Sequence, residues 1–155
     1  MKKKLSIFPS ILFFLILLSF FYLLISDRNP SKLPSTFIDK PVPVFKAKTL
    51  LDNETFISTE EFGQEITLVN FFATWCKPCI EELVFLKKLS NNNELKIIGV
   101  NYKDNSNKTV KWLKELGNPY SKVIVDSNAL IGIDWGVYGI PETFIVNSKG
   151  IIKYR

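Results

Sequence analysis

The stretch Glu65-Ile66-Thr67-Leu68-Val69-Asn70-Phe71-Phe72-Ala73-Thr74-Trp75-Cys76-Lys77-Pro78-Cys79 decides the fold. Glu65 to Phe72 is a near-continuous apolar run of strand length, the pattern of a central strand buried on both faces. Lys77 to Leu89 follows with Ile80, Leu83, Val84, Leu86 and Leu89 at helical spacing. The chain therefore passes from a buried strand through a short turn into a helix. Cys76 falls at the helix N-terminus and Cys79 one turn inside. A sulfur at that terminus meets unsatisfied N–H groups and the positive end of the helix dipole, which favours the thiolate. Pro78 sits in the first turn, where a missing N–H costs nothing. Such a pair can attack a disulfide and resolve the mixed disulfide internally. Two inert buried cysteines or a static bridge are the alternatives, and a bridge closing so short a loop adds little stability.

Working outward, Val44 to Leu50 and Thr55 to Ile57 read as strands around a turn at Asp52-Asn53, and Ser58 or Thr59 caps a short helical turn through Phe62. Leu95 to Asn101 is a second buried strand. Ser106 to Leu116 is helical, with Val110, Leu113 and Leu116 on one face and Gly117 as its stop. Val123 to Val125 is a short strand, and Asn128 to about Trp135 a short helix. Thr143 to Val146 and Ile151 to Tyr154 are strands joined by Asn147-Ser148-Lys149-Gly150. Alternation at the front predicts a parallel core, and the hairpin adds antiparallel edge strands. The class is α/β, a mixed central sheet flanked by helices.

Composition narrows the chemistry. The 155 residues are 46% hydrophobic and 23% charged, enough for a packed core. Histidine is absent, which excludes Ser-His-Asp and Cys-His catalysis, histidine-ligated metals and C-x-x-C-H haem attachment. Two cysteines are too few for a four-thiolate zinc site, so no metal is expected. The net charge of +5 owes much to Lys2, Lys3 and Lys4, and no basic stripe with interleaved aromatics supports nucleic-acid binding.

Those lysines precede an uncharged run from Leu5 to Ile25, interrupted only by Ser6, Pro9, Ser10 and Ser19. As a helix it spans roughly 30 Å, a bilayer core. Lysines stay cytoplasmic, which sends the rest of the chain across. Cleavage as a signal peptide is the competing reading, but Ile25-Ser26-Asp27-Arg28-Asn29-Pro30 is a poor cleavage site. The expected organisation is an uncleaved anchor over 1–26, a proline-punctuated linker over 27–42 and a folded domain over 43–155.

Trp75-Cys76-Lys77-Pro78-Cys79 after an apolar strand resembles the thioredoxin superfamily active site. Tyr138-Gly139-Ile140-Pro141-Glu142-Thr143-Phe144 resembles its second hallmark, a cis-proline loop facing the disulfide. Asn101-Tyr102-Lys103-Asp104, Trp112 to Tyr120, Gly136-Val137-Tyr138-Gly139 and Lys40-Pro41-Val42-Pro43 are similar to the DsbE (CcmG) family of cytochrome c maturation. The resemblance implies a thioredoxin-like fold and a membrane-anchored periplasmic thiol:disulfide reductase, single-pass in a bacterial inner membrane. Its partners would be apocytochrome c or a maturation thiol protein, with a DsbD- or CcdA-type transmembrane reductant as electron source. No cofactor beyond the dithiol is implied. Relatives continue into a C-terminal helix over one sheet face, for which the chain read to Arg155 has no counterpart, so an open apolar face is expected there. Another anchored reductase of the TlpA or ResA type, or a Cu(I)-binding chaperone using the two thiolates, stays open as an alternative.

The resemblance also distributes roles. Cys76 and Cys79 form the redox-active disulfide, and Trp75 and Pro78 complete the motif. The helix-terminus position with Lys77 adjacent, not the resemblance, makes Cys76 the expected more acidic and more exposed nucleophile. Asn70 stands where thioredoxins usually carry a buried acid. An amide cannot titrate, so Glu82 and Glu142 become candidates for proton transfer, with solvated carboxylates as the plain alternative. Carboxylates would raise a thiol pKa and Lys77 would lower it. Pro141 holds the facing loop, and Tyr138, Trp75 and Phe144 are candidates to line a substrate groove, with core packing the alternative, above all for Phe144.

Overall fold

The computed structural model describes residues 7–25, 37–52, 55–91 and 95–155, and the chain divides into two units, Met1–Pro34 and Ser35–Arg155. In the first unit, helix α1 (Ile7–Ile25) carries no charged side chain, buries none of its residues within the protein, and is long and apolar enough to cross a membrane. Lys2 to Lys4 and residues 26–30, most of the stretch read as a poor cleavage site, lie outside the described residues.

The second unit is built on β3 (Ile66–Phe72), whose residues are buried from Thr67 onward. It pairs in parallel with β4 (Leu95–Tyr102), which pairs in parallel with β5 (Lys122–Asp126). On its other side lies β6 (Glu142–Val146), antiparallel, followed by β7 (Ile152–Tyr154). The five-stranded order is β5-β4-β3-β6-β7. The sequence reading placed both hairpin strands at an edge. Only β7 is there, because β6 sends Phe144 and Val146 into one core and Ile145 against the other, and takes the free side of β3. A separate hairpin of β1 (Lys46–Lys48) and β2 (Phe56–Ser58) leads into a 3-10 turn, Thr59–Glu61, capped by Ser58.

Alternate residues of β3 feed two cores. Val69 and Phe71 join Ile98, Val100, Ile124, Trp135, Phe144 and Val146 on one face. Leu68 and Phe72 join Ile97, Val123, Leu83, Leu86, Leu113 and both cysteines on the other. Helices α2 (Lys77–Leu89) and α3 (Ser106–Leu116) supply Leu83, Leu86 and Leu113 of the second core. The expected α2 stripe needs correction. Its buried residues are Cys79, Leu83 and Leu86, whereas Ile80, Val84 and Leu89 are 40–48% exposed. The buried row at i, i+4, i+7 begins at the cysteine itself, and the other three residues fall on its flanks. Val110 of α3 is likewise on the flank, 37% exposed, and Gly117 ends α3 at φ 89°.

Helix α4 (Leu130–Asp134) is shorter than expected. Ala129 before it is left-handed, and Asp126 accepts from the Ile131 and Gly132 amides in its place as a cap. The expected linker, which ran to residue 42, extends too far. Asp39 N donates to Ile152 O at 2.8 Å, Ile152 N to Lys40 O at 2.9 Å and Val42 N to Gly150 O at 2.9 Å. Val42 is buried in the first core. The prolines made this segment look like a spacer; it lies along the open edge of β7 instead, where Pro41 needs no donor.

Candidate active site

Cys76 is the N-cap of α2, extended at φ −88°, and a disulfide of 2.01 Å joins it to Cys79. Its side chain makes no cap hydrogen bond, and the Cys79 amide donates to Cys76 O at 3.2 Å. Both cysteines are buried in this oxidised form, Cys76 4% and Cys79 3% exposed. Exposure therefore does not distinguish the two sulfurs as expected; only their positions on the helix do. Lys77 and Pro78 are exposed, Pro78 within the first turn.

The loop before Cys76 is held by Asp104, beyond the end of β4. Its carboxylate accepts from Thr74 N at 2.5 Å, Thr74 Oγ1 at 3.1 Å, Asn105 N at 2.7 Å and Asn101 Nδ2 at 3.3 Å. Partial burial works to raise this carboxyl's pKa, but the donors from Thr74, Asn105 and Asn101 outweigh it and hold the group below its ordinary value. Trp75 is 59% exposed, yet its indole N–H donates to Lys103 O at 3.2 Å. Two neighbouring residues of the β4–α3 connection thus pin the two residues before the nucleophile candidate.

Beneath the disulfide lies a polar network centred on Asn70, which is 1% exposed. Asn70 Nδ2 donates to Glu82 Oε2 at 2.7 Å and to Thr143 Oγ1 at 2.9 Å. Thr143 Oγ1 donates to Glu82 Oε1 at 2.8 Å, and Tyr120 OH donates to Asn70 Oδ1 at 2.8 Å. Tyr120 stacks on Phe72 at 4.7 Å. Gly99 makes that possible, since a Cβ there would lie 2.8 Å from the Phe72 ring and 2.9 Å from the Tyr120 ring. Burial, with the nearby Glu82 charge, pushes the Tyr120 hydroxyl well above its ordinary pKa, so it remains a neutral donor. Cys79 and Glu82 are i, i+3 neighbours on α2, which sets this bridged carboxylate beside the buried sulfur.

The bond Ile140–Pro141 is cis. Glu142 pairs with Phe71 and Thr143 with Asn70, so Pro141 lies at the same end of the sheet as Cys76. Ile140 packs on the core cluster that contains both cysteines. Tyr138 is 66% exposed. Phe144 is fully buried between Phe71 and Trp135, so it belongs to the core and not to a groove. Glu142 is not solvated either: it is buried against Arg155 Nε. Burial raises its carboxyl above the ordinary value, against the Arg155 charge and the Tyr138 and Gly139 amides, which lower it.

The structure brings Cys76, Cys79, Trp75, Pro78, Glu82 and Pro141 to one end of the sheet. Glu142 and Tyr138 belong to a second cluster beside it. Sequence reasoning did not find Tyr120, Thr143 and Arg155. Each looks like an ordinary strand-end or core residue, and only the partner brought by folding gives it a role.

A strand-to-helix disulfide of this kind, carried past the end of the central strand of a mixed five-stranded sheet with a cis-proline at the same end, defines a thioredoxin-like thiol–disulfide oxidoreductase. Comparison agrees in sequence and in fold. The Redoxin family model matches residues 38–155. The thiol:disulfide interchange protein DsbE of Haemophilus influenzae is 45% identical over 100% of this chain and 86% of its own length. The DsbE of Escherichia coli K12 is 39% identical over 100% and 85%. A DsbF homologue from Corynebacterium diphtheriae superposes with a TM-score of 0.67 at 20% identity, over 81% of this chain and 84% of that one. The thioredoxin domain of a Bacteroides vulgatus thiol-disulfide oxidoreductase gives 0.66 at 20% identity, over 76% and 86%. The two superpositions speak for the fold. The chain belongs to the redoxin family, among the proteins similar to DsbE.

Proposed function

We propose that this oxidoreductase works as a membrane-anchored, periplasmic reductase that opens the disulfide of apocytochrome c, directly or through a maturation thiol protein, before haem attachment. In this reading residues 1–26 are the anchor and Cys76 and Cys79 are the redox pair. The observation that carries it is the Cys76–Cys79 disulfide at the N-terminus of α2 in a chain 45% identical to a DsbE. The helix α1 and the DsbE relatives support the anchored periplasmic placement.

The chemistry starts from the dithiol. The Cys76 thiolate attacks one sulfur of the substrate disulfide; that S–S bond breaks and one substrate thiolate leaves. The Cys79 thiolate then attacks Cys76 Sγ, and the second substrate thiolate leaves. Two electrons pass to the substrate, and the Cys76–Cys79 disulfide remains. A transmembrane dithiol donor of the DsbD or CcdA type restores the reduced form. Glu82, adjacent to Cys79 on α2, takes and returns the proton of that thiol, since Asn70 has none to exchange. Trp75, Tyr138 and Pro141 form the surface along which the substrate chain lies extended.

The test is a Cys79→Ala full-length protein expressed in its own membranes, with the attached chain identified by mass spectrometry. Recovery of an apocytochrome c or a maturation thiol protein supports the reading. Recovery of unrelated periplasmic thiol proteins alone would sink it.

A further inference from the structure

Arg155 lies just beyond β7, far in sequence from the residues it touches. Its Nε contacts Glu142 Oε1, with only 13% of the arginine side chain and 9% of the glutamate side chain exposed. Its guanidinium carbon sits 4.2 Å from the centre of the Tyr138 ring and 5.7 Å from that of Phe144. One planar cation thus holds a carboxylate on one side of Pro141 and an exposed aromatic ring on the other. The Tyr138 ring is 66% exposed, so nothing in the core fixes its direction. The guanidinium face does, because a cation over a ring face is attracted by the ring quadrupole. The Glu142 contact in turn anchors the guanidinium and keeps it from swinging into solvent. A lysine could supply the charge but neither the planar stack nor the fork.

We propose that Arg155 is a positioning residue for substrate recognition: by clamping Glu142 and stacking under Tyr138, it shapes the loop beside the disulfide for an extended polypeptide substrate. This rests on the proposed reading that the Tyr138–Pro141 loop receives the substrate chain. The clamp touches neither sulfur. It acts on substrates that carry a backbone and leaves the intrinsic reactivity of the dithiol alone.

Two disulfides separate these effects. Hydroxyethyl disulfide has no peptide backbone to lie against the loop. A peptide with an internal disulfide does. The reduced full-length protein in detergent is assayed with both. Arg155→Ala should raise KM for the peptide by about fivefold with kcat within about twofold, and change the rate with hydroxyethyl disulfide by less than about twofold. Arg155→Lys should behave like Arg155→Ala. Tyr138→Leu, which leaves the buried ion pair in place, should show the same KM rise, and the double variant should be no worse than the poorer single one. An unchanged peptide KM in Arg155→Ala, an equal loss on both disulfides, a wild-type Arg155→Lys, or full additivity would each overturn the proposal. Should Arg155→Ala not fold, Tyr138→Leu and Arg155→Lys still decide it. A wild-type protein that reduces neither disulfide refutes the reductase reading and is a different outcome.

Discussion

Asn70 Nδ2 donates to Glu82 Oε2 at 2.7 Å, so an amide of the central strand holds a carboxylate of the following helix in place. The same amide accepts from Tyr120 OH at 2.8 Å, and every polar atom of its side chain is engaged. The buried polar position on β3 is thus an amide, and the carboxylate that meets it comes from α2.

Removing that amide should be expensive. Asn70→Leu orphans the Tyr120 hydroxyl and part of the Glu82 carboxylate, each worth about 1–3 kcal/mol when left unpaired. Urea unfolding should show a loss of at least about 2 kcal/mol. Asn70→Asp has a different signature. It sets a second carboxyl beside Glu82, and the introduced acid keeps its proton to higher pH than in the unfolded chain. A raised acid pKa gives stability at low pH that is lost as pH rises through the folded value. The stability gap between Asn70→Asp and wild type should therefore widen from pH 5 to pH 8; a constant gap would contradict this account.

Cys76 caps α2 and Cys79 lies a turn inside, which predicts nucleophile and resolving thiol respectively. Cys79→Ala should leave a long-lived mixed disulfide through Cys76, and Cys76→Ala should trap much less. Non-reducing gels of membranes expressing each variant report the difference, and the opposite pattern would exchange the two roles.

Asp104 predicts an acid-sensitive loop. Its carboxyl is held below the ordinary 3.8, although burial alone would raise it, because backbone and side-chain donors favour the charged form. Its contribution is complete above about that value and is lost as pH falls through the lower folded one. Asp104→Asn should cost about 0.5–1.5 kcal/mol at pH 7 and should flatten the loss of stability below pH 4. Trp75 fluorescence should follow the same curve, since its indole is held by the adjacent Lys103 carbonyl.

If α1 is an anchor, the full chain should stay in the pellet after alkaline carbonate washing. Leu15→Arg, near the middle of the helix, should cost about 2.5–3.5 kcal/mol of insertion free energy and release a measurable fraction. Complete release of the wild type would remove the anchor from the proposal.

Much of this protein is written locally. The run through Ile66 to Phe72 could only be a doubly buried strand, and the two cysteines at its helix junction carry their chemistry in three residues of spacing. Gly117 acts through its own backbone, and Ser58 and Asn147 act through side chains that accept from amides a few residues on, so they were legible too. What the sequence left open depends on partners distant in the chain. Phe144 is core and Tyr138 is surface because β6 takes the inner place beside β3, a choice of pairing made by the whole sheet. Pro41 and Val42 look like spacer until β7 presents them with an edge. Glu82 and Glu142, alike as exposed carboxylates on paper, are separated by folding. One is gathered in by Asn70 and Thr143, the other is buried against Arg155, because burial tolerates a carboxylate only where donors or a cation meet it.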